Sequence, residues 1–308
     1  MVAGSVPKKI ELKKLPSDIF RLLVEVGGQA DQKRLSVFLV GGMVRDILLG
    51  RKSVDIDIVV EGDGIYFAGI LASRWAGKLL AHKKFGTAVI TRPDGVKIDV
   101  VTARRESYAH PGALPDVIPG NIADDLFRRD FTVNAVSVSL NRADFGLIHD
   151  DFGGCADIRD GLIRIMHYRS FIDDPTRILR AIRYEKRLGF KFDPRTLAVL
   201  RQALDENAFS SVSPVRYFGE FKRILQEEDP RGALRRLALL DGLRFFVYDQ
   251  NVEAAFKGIL KSTPTGDDRW LRFFSALIVA LDRASAEELL QSFNIPRHEK
   301  ARILKGLL

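Results

Sequence analysis

The segment VGGMVRDILLGRKSVDID, residues 40–57, joins a glycine-marked turn to two carboxylates spaced two residues apart. Side chains at i and i+2 of a strand point to the same face, so Asp55 and Asp57 can hold one cation between them. Paired carboxylate oxygens suit hard divalent metals such as Mg²⁺. The Gly41–Gly42 pair lets backbone N–H groups approach a phosphate, and residues 43–49 are predicted to form a short helix whose positive end faces that phosphate. A metal site beside a phosphate site indicates nucleotide chemistry.

A third carboxylate lies in a predicted hairpin at residues 87–101, TAVITRPDGVKIDVV. Two β-branched runs are joined there by Pro-Asp-Gly, and the second run carries Asp99 among apolar residues. A carboxylate in such surroundings is costly unless it meets a cation. Ordinary structural explanations stay open for each pattern: a solvated strand end for Asp-x-Asp, a simple turn for Gly-Gly, and the solvent face of an edge strand for Asp99.

Further motifs follow in a fixed order: GGMVRDILLG, Asp-Ile-Asp at 55–57, DLFRRDFTVNA at 125–135 and DDPTRILRAIRY at 173–184. In these motifs the chain resembles the class II tRNA nucleotidyltransferases, which share a catalytic region with bacterial poly(A) polymerases. The resemblance implies that one group of residues binds the phosphates and ribose of a nucleotide: Gly42, Arg45, Arg129, Asp130 and Asn134. Planar guanidinium groups bind phosphate oxygens bidentately, which favours Arg over Lys at 45 and 129. A surface basic pair, Arg128-Arg129, capped by Asp130, is the structural alternative.

The predicted helix that carries DDPTRILRAIRY has arginines every three residues along the side that bears Asp174. The family resemblance implies that Asp174 and Arg177 form a protein template for the incoming base, with Arg180 and Arg183 completing the site on the triphosphate side. A carboxylate accepts from the exocyclic amine of cytosine or adenine, whereas uracil and guanine present a carbonyl there. The alternative is a helix cap with a solvated arginine face.

The chain departs from the family pattern at two places. Asp173-Asp174 stands where the family usually has Glu-Asp, and the chain ends at Leu308, where relatives often continue into a larger helical tail. We expect either a compact member or a piece of a longer protein. A match to the last common motif, Arg216 to Glu220, is expected to shape the neck, and an ordinary i, i+4 helix pair is the simplest form of that role.

Charge and composition agree with this resemblance. Lys plus Arg number 48 against 40 Asp plus Glu, and a net charge of +8 favours a polyanionic partner. The single cysteine excludes an intramolecular disulfide framework and a multi-cysteine zinc site, so a reducing cytoplasm is the expected location. No apolar run reaches the roughly 18 residues that a membrane span needs, so no membrane partner is expected.

Hydrophobic periodicity predicts an α/β nucleotidyltransferase head, a mixed sheet with helices, followed by all-α neck and body domains. The predicted boundaries are a catalytic head at 1–145, a neck with the base-reading helix at 146–208, and a helical, RNA-binding body at 209–308 with an incomplete tail. Helices are predicted at 17–30, 63–76, 194–205, 214–226, 230–240 and 268–293, and strands at 35–41, 55–60, 79–82, 86–92 and 96–101. The Pro- and Gly-rich segment 108–120, YAHPGALPDVIPG, is predicted to be a loop.

The resemblance implies an enzyme that adds C and/or A to the 3′ end of tRNA from CTP and/or ATP and releases pyrophosphate. Mg²⁺ would be held by Asp55 and Asp57, with Asp99 aiding deprotonation or metal binding. The expected partners are the tRNA acceptor stem and the nucleotide. The 108–120 loop looks closest to members that add only the terminal A, although A-only, CC-only and full CCA addition stay open, as does the oligomeric state. The alternatives are a poly(A) polymerase on general RNA ends and a catalytically idle RNA-binding module.

Overall fold

A computed structural model describes residues 8–51, 55–262, 268–279 and 281–305 of the chain. These residues divide into two compact units. The first runs to Ala109 and resumes at Pro115–His167, and the second comprises His110–Leu114 and the chain from Tyr168 onward. The three-domain division at 145 and 208 stays a prediction, whereas the compact units divide after His167.

The first unit is built on a mixed sheet with helices, as the sequence predicted. Its strands are β1 (Ser36–Val40), β2 (Ile56–Glu61), β3 (Lys78–His82), β4 (Thr87–Thr91), β5 (Lys97–Thr102), β6 (Arg104–Ser107), β7 (Asp116–Pro119), β8 (Ser137–Ser139), β9 (Ile148–His149) and β10 (Leu162–Ile163). Its helices are α1 (Ser17–Lys33), α2 (Gly42–Leu48), α3 (Gly64–Arg74), α4 (Ile122–Phe127) and α5 (Gly154–Asp160), with 3-10 turns at Leu12–Lys14, Lys83–Phe85 and Thr132–Asn134.

Seven of these strands form one sheet in the order β3-β4-β5-β2-β1-β8-β9. Strands β2 and β5 are parallel, and the other neighbours are antiparallel. Helix α3 begins after Asp63, whose carboxylate accepts from the Tyr66 N–H, and buries Phe67 and Leu71. Since α3 packs on β4 and β5, it covers one face of that half of the sheet. The carboxylates discussed below lie on the other face.

The segment predicted to be a loop at 108–120 is partly a strand. Asp116–Pro119 pairs antiparallel with Arg104–Ser107, so β6 and β7 form a two-stranded hairpin. The predicted loop is therefore wrong for residues 116–119. Two prolines flank Val117 and Ile118 and hide the strand signal, whereas Pro119 sits at the end of the ladder, where a missing N–H costs little.

The second unit is helical, as predicted. Its elements are α6 (Ser170–Asp173), α7 (Thr176–Leu188), β11 (Lys191–Phe192), α8 (Pro194–Asp205), a 3-10 turn at Ala208–Ser211, α9 (Pro214–Leu225), α10 (Arg231–Ala238), α11 (Gln250–Ser262), α12 (Arg269–Ile278), α13 (Arg283–Ser292) and α14 (Arg297–Lys305). The region 268–293 holds two helices, because Asp282 caps a new one by accepting from the Ser285 N–H. Aromatic rings form its core, among them Phe218 stacked on Phe293 and Phe221 stacked on Phe246.

None of the helices within the described ranges combines the length and the apolar character required to span a bilayer.

Candidate active site in the head sheet

Two carboxylates lie side by side on the open face of the sheet. Asp57 on β2 and Asp99 on β5 are register partners in a parallel pair, so their side chains project from the same face. Asp55 is exposed and precedes β2 by one residue, so the predicted placement of Asp55 and Asp57 within one strand is wrong for Asp55. Strand β5 lies between β4 and β2, which excludes the edge-strand explanation of Asp99.

These carboxylates are electrostatically strained. Burial raises the pKa of Asp57 to about 6, and Asp99 and Asp55 add to the rise while Arg129 opposes it. Burial and the charge of Asp55 also raise the pKa of Asp99, against the attraction of Lys97. Within the described ranges, no three acidic, histidine or cysteine side chains converge into a ready-made metal site. The fit to a divalent cation therefore rests on carboxylate oxygens whose mutual repulsion such an ion would relieve.

The glycine turn after β1 packs directly against Asp57. Gly41 has φ +73°, and a Cβ there would lie 3.0 Å from Asp57 Oδ2 and 3.3 Å from Arg129 Nη1. A side chain at this position would therefore fill the space beside the carboxylate and the guanidinium. Gly42, which the sequence favoured, is the first residue of α2. Sequence reasoning underweighted Gly41, since two adjacent glycines do not show which one faces the site.

Arg129 and Arg128 are anchored by one fully buried carboxylate. Asp125 Oδ2 accepts from Arg129 Nη2 at 2.9 Å, and Asp125 Oδ1 accepts from Arg128 Nη2 at 2.6 Å. Burial opposes ionisation of Asp125, but Arg129 and Arg128 outweigh it and hold the pKa of Asp125 below its ordinary value. Arg128 also donates to Glu106 at 3.0 Å. The surface-pair explanation of Arg128-Arg129 is therefore wrong, and Asp125 is a site residue that the sequence reasoning missed.

Arg45 links the glycine turn to the RRDFTVNA motif. Its Nη1 donates to Asn134 Oδ1 at 2.7 Å, and Asn134 Nδ2 donates to Asp130 Oδ1 at 3.0 Å. Its Nε and Nη2 donate to Asp46 Oδ1, and only 3% of the residue is exposed. A direct phosphate contact by Arg45 stays a prediction, whereas the observed bonds hold three of the predicted site residues in one buried chain.

In the second unit, Asp174 combines a structural role with an open acceptor. Its Oδ1 accepts from Thr176 N at 3.1 Å, from Thr176 Oγ1 at 2.6 Å and from Arg216 Nη2 at 3.1 Å. Among the described residues no donor is hydrogen-bonded to Oδ2. The capping explanation is thus correct for one oxygen of this carboxylate, and the other oxygen keeps its lone pairs.

The arginines of α7 do not form a solvated face. Arg177 is 6% exposed and its Nη1 donates to the fully buried Ser170 Oγ at 2.8 Å. Arg180 Nη1 lies 3.5 Å from Glu220 Oε1, and Arg183 Nη1 lies 3.3 Å from Glu227 Oε1. The solvated-face alternative is therefore wrong. Whether these three arginines bind a nucleotide stays a prediction.

The expected i, i+4 pair between Arg216 and Glu220 is wrong as a contact. Arg216 donates to Asp174 and to the carbonyl of Gly112, while Glu220 pairs with Arg180 and Arg223. Both residues of the motif thus reach other elements of the unit.

Comparison with known proteins identifies the family. The family model described as the poly A polymerase head domain matches residues 37–164. An A-adding tRNA nucleotidyltransferase of Geobacter sulfurreducens is 43% identical over 233 residues, 76% of this chain and 26% of that protein. A CC-adding tRNA nucleotidyltransferase of Deinococcus radiodurans is 39% identical over 66% of this chain and 53% of its own length. A solved CCA-adding enzyme in an apo form is 37% identical with a TM-score of 0.84, covering 95% of this chain and 72% of that one.

This chain belongs to the tRNA nucleotidyltransferase family. It spans between 23% and 53% of the length of the three A-adding relatives. A solved tRNA nucleotidyltransferase complexed with a primer tRNA and an incoming ATP analog is 33% identical, with a TM-score of 0.78 over 91% of this chain.

The chain keeps a carboxylate, Asp173, where it departs from the family pattern. Asp173 Oδ1 accepts from Arg169 Nη2 at 3.1 Å, a pairing one helical turn long. Its backbone carbonyl accepts from the Gly112 N–H at 3.2 Å. Asp173 is thus tied to its own helix through one side-chain oxygen and to the 110–114 segment through its backbone carbonyl.

Proposed function

We propose that this chain extends the 3′ end of tRNA with C and/or A from CTP and/or ATP, releasing pyrophosphate. The observation that carries the proposal is the in-register pair Asp57 and Asp99 beside Gly41 and Arg129. The primer 3′-hydroxyl oxygen attacks the α-phosphorus, the bond to pyrophosphate breaks, and the hydroxyl proton leaves to a base. Negative charge develops on the phosphate oxygens during these steps, and it must be neutralised although two carboxylates lie nearby.

Asp57 and Asp55 are the residues that would hold Mg²⁺, with Asp99 alongside. A bound divalent ion supplies charge neutralisation and lowers the pKa of a coordinated hydroxyl. Asp99 is exposed and its pKa is raised, which supports assigning it to accept the proton of the primer hydroxyl or to share the ion.

The phosphate side of the site is assigned to Arg129 and to the backbone at Gly41. Asp125 fixes the Arg129 guanidinium by a bond to Nη2, and the Nε of Arg129 is buried without a hydrogen-bond partner among the described residues. The guanidinium thus keeps donor capacity beside the carboxylates. Hydrogen bonds among Arg45, Asn134 and Asp130 hold the glycine turn and the RRDFTVNA motif together. Gly42 is the first residue of α2, the helix that follows this turn.

Base selection is assigned to Asp174 and Arg177. The free Oδ2 of Asp174 accepts from the exocyclic amine of adenine or cytosine, and a guanidinium donates to the adjacent ring position. Uracil and guanine would place a carbonyl against that oxygen, which leaves two acceptors facing each other. Arg180 and Arg183 complete the proposed site on the triphosphate side.

Addition of the terminal A to tRNA that already ends in CC is the finer proposal. Three A-adding relatives are 43% to 44% identical, whereas the CC-adding relative is 39% identical. Tailing of general RNA ends is the second candidate, and the shared poly A polymerase head domain favours it.

The test supplies tRNA transcripts that end before CCA, after C and after CC, each with one labelled nucleotide and Mg²⁺. Incorporation of A only into tRNA ending in CC is expected. Incorporation of C shows a broader specificity, and equal tailing of an unstructured RNA of matched length supports the poly(A) alternative. An Asp57→Ala variant serves as the inactive control, and absence of incorporation into every primer would contradict the proposal.

A further inference from the structure

The face of the sheet that carries Asp57 and Asp99 continues across β4 and β3, where its residues are exposed or half-buried. Asp99 on β5 pairs with Val89 on β4, which pairs with Leu80 on β3. Register partners lie side by side on one face, so these residues extend the carboxylate row. Leu80 is 60% exposed.

The row on the opposite face is different. Leu79, one residue away, aligns with the fully buried Ile90 and Ile98, which lie under α3. Leu79 is itself 41% exposed at the β3 edge, so apolar exposure is not confined to one face. Leu80 is the more exposed of the two leucines, and it shares its face with Asp57 and Asp99. We call Leu80, Val89 and their exposed neighbours on that face the β3–β5 shelf.

Cations border the β3–β5 shelf. Lys97 lies two residues before Asp99, and Lys78 lies two residues before Leu80, so both project from the same face. They are joined through the register Lys78, Thr91 and Lys97, and both lysines are exposed. An apolar centre with a cationic border suits a nucleotide, whose base stacks on apolar side chains while its phosphate meets ammonium groups.

The order of strands in the sheet indicates which of the two substrates, the nucleotide triphosphate or the RNA primer, binds to the shelf. Gly41 and Arg129 lie on the β1 side of Asp57, where the incoming triphosphate is assigned, whereas the shelf lies beyond Asp99 on the other side. Neighbouring strands are about 4.8 Å apart, so Leu80 stands about 10 Å from Asp99, within the span of one nucleotide. The two substrates must meet at the carboxylates from opposite sides.

We infer that the β3–β5 shelf seats the 3′-terminal nucleotide of the RNA primer, with Leu80 under its base and Lys78 and Lys97 near its phosphates. This inference rests on the proposed function, because it names the place of the primer in that reaction.

The experiment compares three variants of the full chain: Leu80→Glu, Leu80→Lys and the matched control Leu79→Glu on the opposite face. One new negative charge close to a phosphate is expected to raise the primer KM of Leu80→Glu about tenfold. The nucleotide KM is expected to stay unchanged. Leu80→Lys, equally disruptive to packing but opposite in charge, is expected to change the primer KM less than about threefold. Leu79→Glu should match the unmodified chain.

Equal primer KM values for Leu80→Glu and Leu79→Glu, with an active unmodified chain, overturn the inference alone. Equal damage by Leu80→Glu and Leu80→Lys also overturns it, because it shows a packing effect. A change of oligomeric state in Leu80→Glu, measured by light scattering, overturns it in favour of a protein occupant at the open β3 edge. If the unmodified chain incorporates no nucleotide, the proposed function fails. Primer binding at equilibrium then tests the shelf, and it is expected to weaken in Leu80→Glu but not in Leu79→Glu.

Discussion

The fold buries Asp57, the carboxylate to which the proposed chemistry of the head is assigned, at a position that disfavours its charged form. Burial and the charges of Asp99 and Asp55 raise the pKa of Asp57, and the charge of Arg129 opposes them. Asp125 shows the opposite arrangement, because two arginines satisfy it fully. A buried carboxylate whose counter-charge the protein supplies, such as Asp125, has a structural role, whereas one that lacks it is the better candidate for binding a cation.

The pH dependence of stability should report this strain. Since the pKa of Asp57 is raised to about 6, the native state binds the proton more tightly than the unfolded chain does. Stability is therefore lost as pH rises from the ordinary aspartate value to about 6, and the loss is complete above it. Asp57→Asn should be more stable than the unmodified chain at pH 7.5 by on the order of 1 to 3 kcal/mol without metal, and should incorporate nucleotide orders of magnitude more slowly.

Urea unfolding at pH 5 and at pH 7.5 measures this difference, with Asp205→Asn, an exposed aspartate at the end of α8, as the control. An Asp57→Asn variant with the same pH dependence and stability as the unmodified chain would show that Asp57 is not strained.

Substitution of Asp174 can distinguish the structural role of its Oδ1 from the proposed base-reading role of its Oδ2. Asp174→Asn keeps an acceptor for Thr176 and Arg216 but replaces the free oxygen by an amide donor. We expect a melting temperature close to that of the unmodified chain and a shift of catalytic efficiency from ATP and CTP towards UTP and GTP. Asp174→Ala should lose discrimination and also about 0.5 to 2 kcal/mol of stability, because the helix loses its cap. Steady-state kcat/KM values for the four nucleotides measure this discrimination. If the ratio of kcat/KM for ATP or CTP to that for UTP or GTP is unchanged in Asp174→Asn, Asp174 has a structural role alone.

At the scale of elements, local patterns predicted the strands and helices whose signal is continuous, such as β4 and β5 around Pro93-Asp94-Gly95. Local sequence patterns did not predict structure that depends on pairing with a segment distant in the sequence. Strand β7 exists because β6 pairs with it, and the neighbourhood of Asp57 and Asp99 follows from a parallel register that spacing does not encode. Arg45 and Asn134, 89 residues apart, and Arg216 and Asp174, 42 residues apart, meet only in the folded chain.

Gly112 in the 110–114 segment packs closely against its neighbours, and substitution there tests how much this packing contributes to stability. A Cβ at Gly112, where φ is +69°, would lie 2.3 Å from the Ser211 carbonyl oxygen, and the Gly112 carbonyl accepts from Arg216. Gly112→Ala should therefore cost about 1 kcal/mol of backbone strain plus about 1 to 3 kcal/mol of overpacking. Gly95→Ala, at φ +85° with open space around its Cβ, should show the strain alone. Thermal melting of both variants measures the difference in stability. Equal melting temperatures would mean that the 110–114 segment moves to accommodate the new side chain with no loss of stability.

At the scale of the whole molecule, the net charge of +8 does not equal the charge available to RNA. Several arginines of the sequence motifs form ion pairs with carboxylates inside the fold, including Arg128 with Asp125 and Arg183 with Glu227. Lys78 and Lys97 are exposed, and neither forms an ion pair within the part of the chain that the structure describes. RNA affinity should therefore depend on lysines more than the arginine-rich composition suggests.

Binding of RNA should weaken steeply with salt if several phosphates are neutralised at once. Between about 50 and 200 mM salt, a protein that neutralises Z phosphates loses affinity with a slope near −0.7 to −0.9 Z on logarithmic axes. A tRNA acceptor minihelix is expected to compete well with full tRNA, because A-form shape and the 3′ end carry the recognition. Lys78→Ala and Lys97→Ala should each reduce the slope by about one unit, and Lys13→Ala, near the start of the chain, serves as the control. Fluorescence anisotropy over the salt series provides the slopes. A flat salt dependence, or equal affinity for unstructured RNA of the same length, would contradict recognition of the tRNA end and favour the poly(A) alternative.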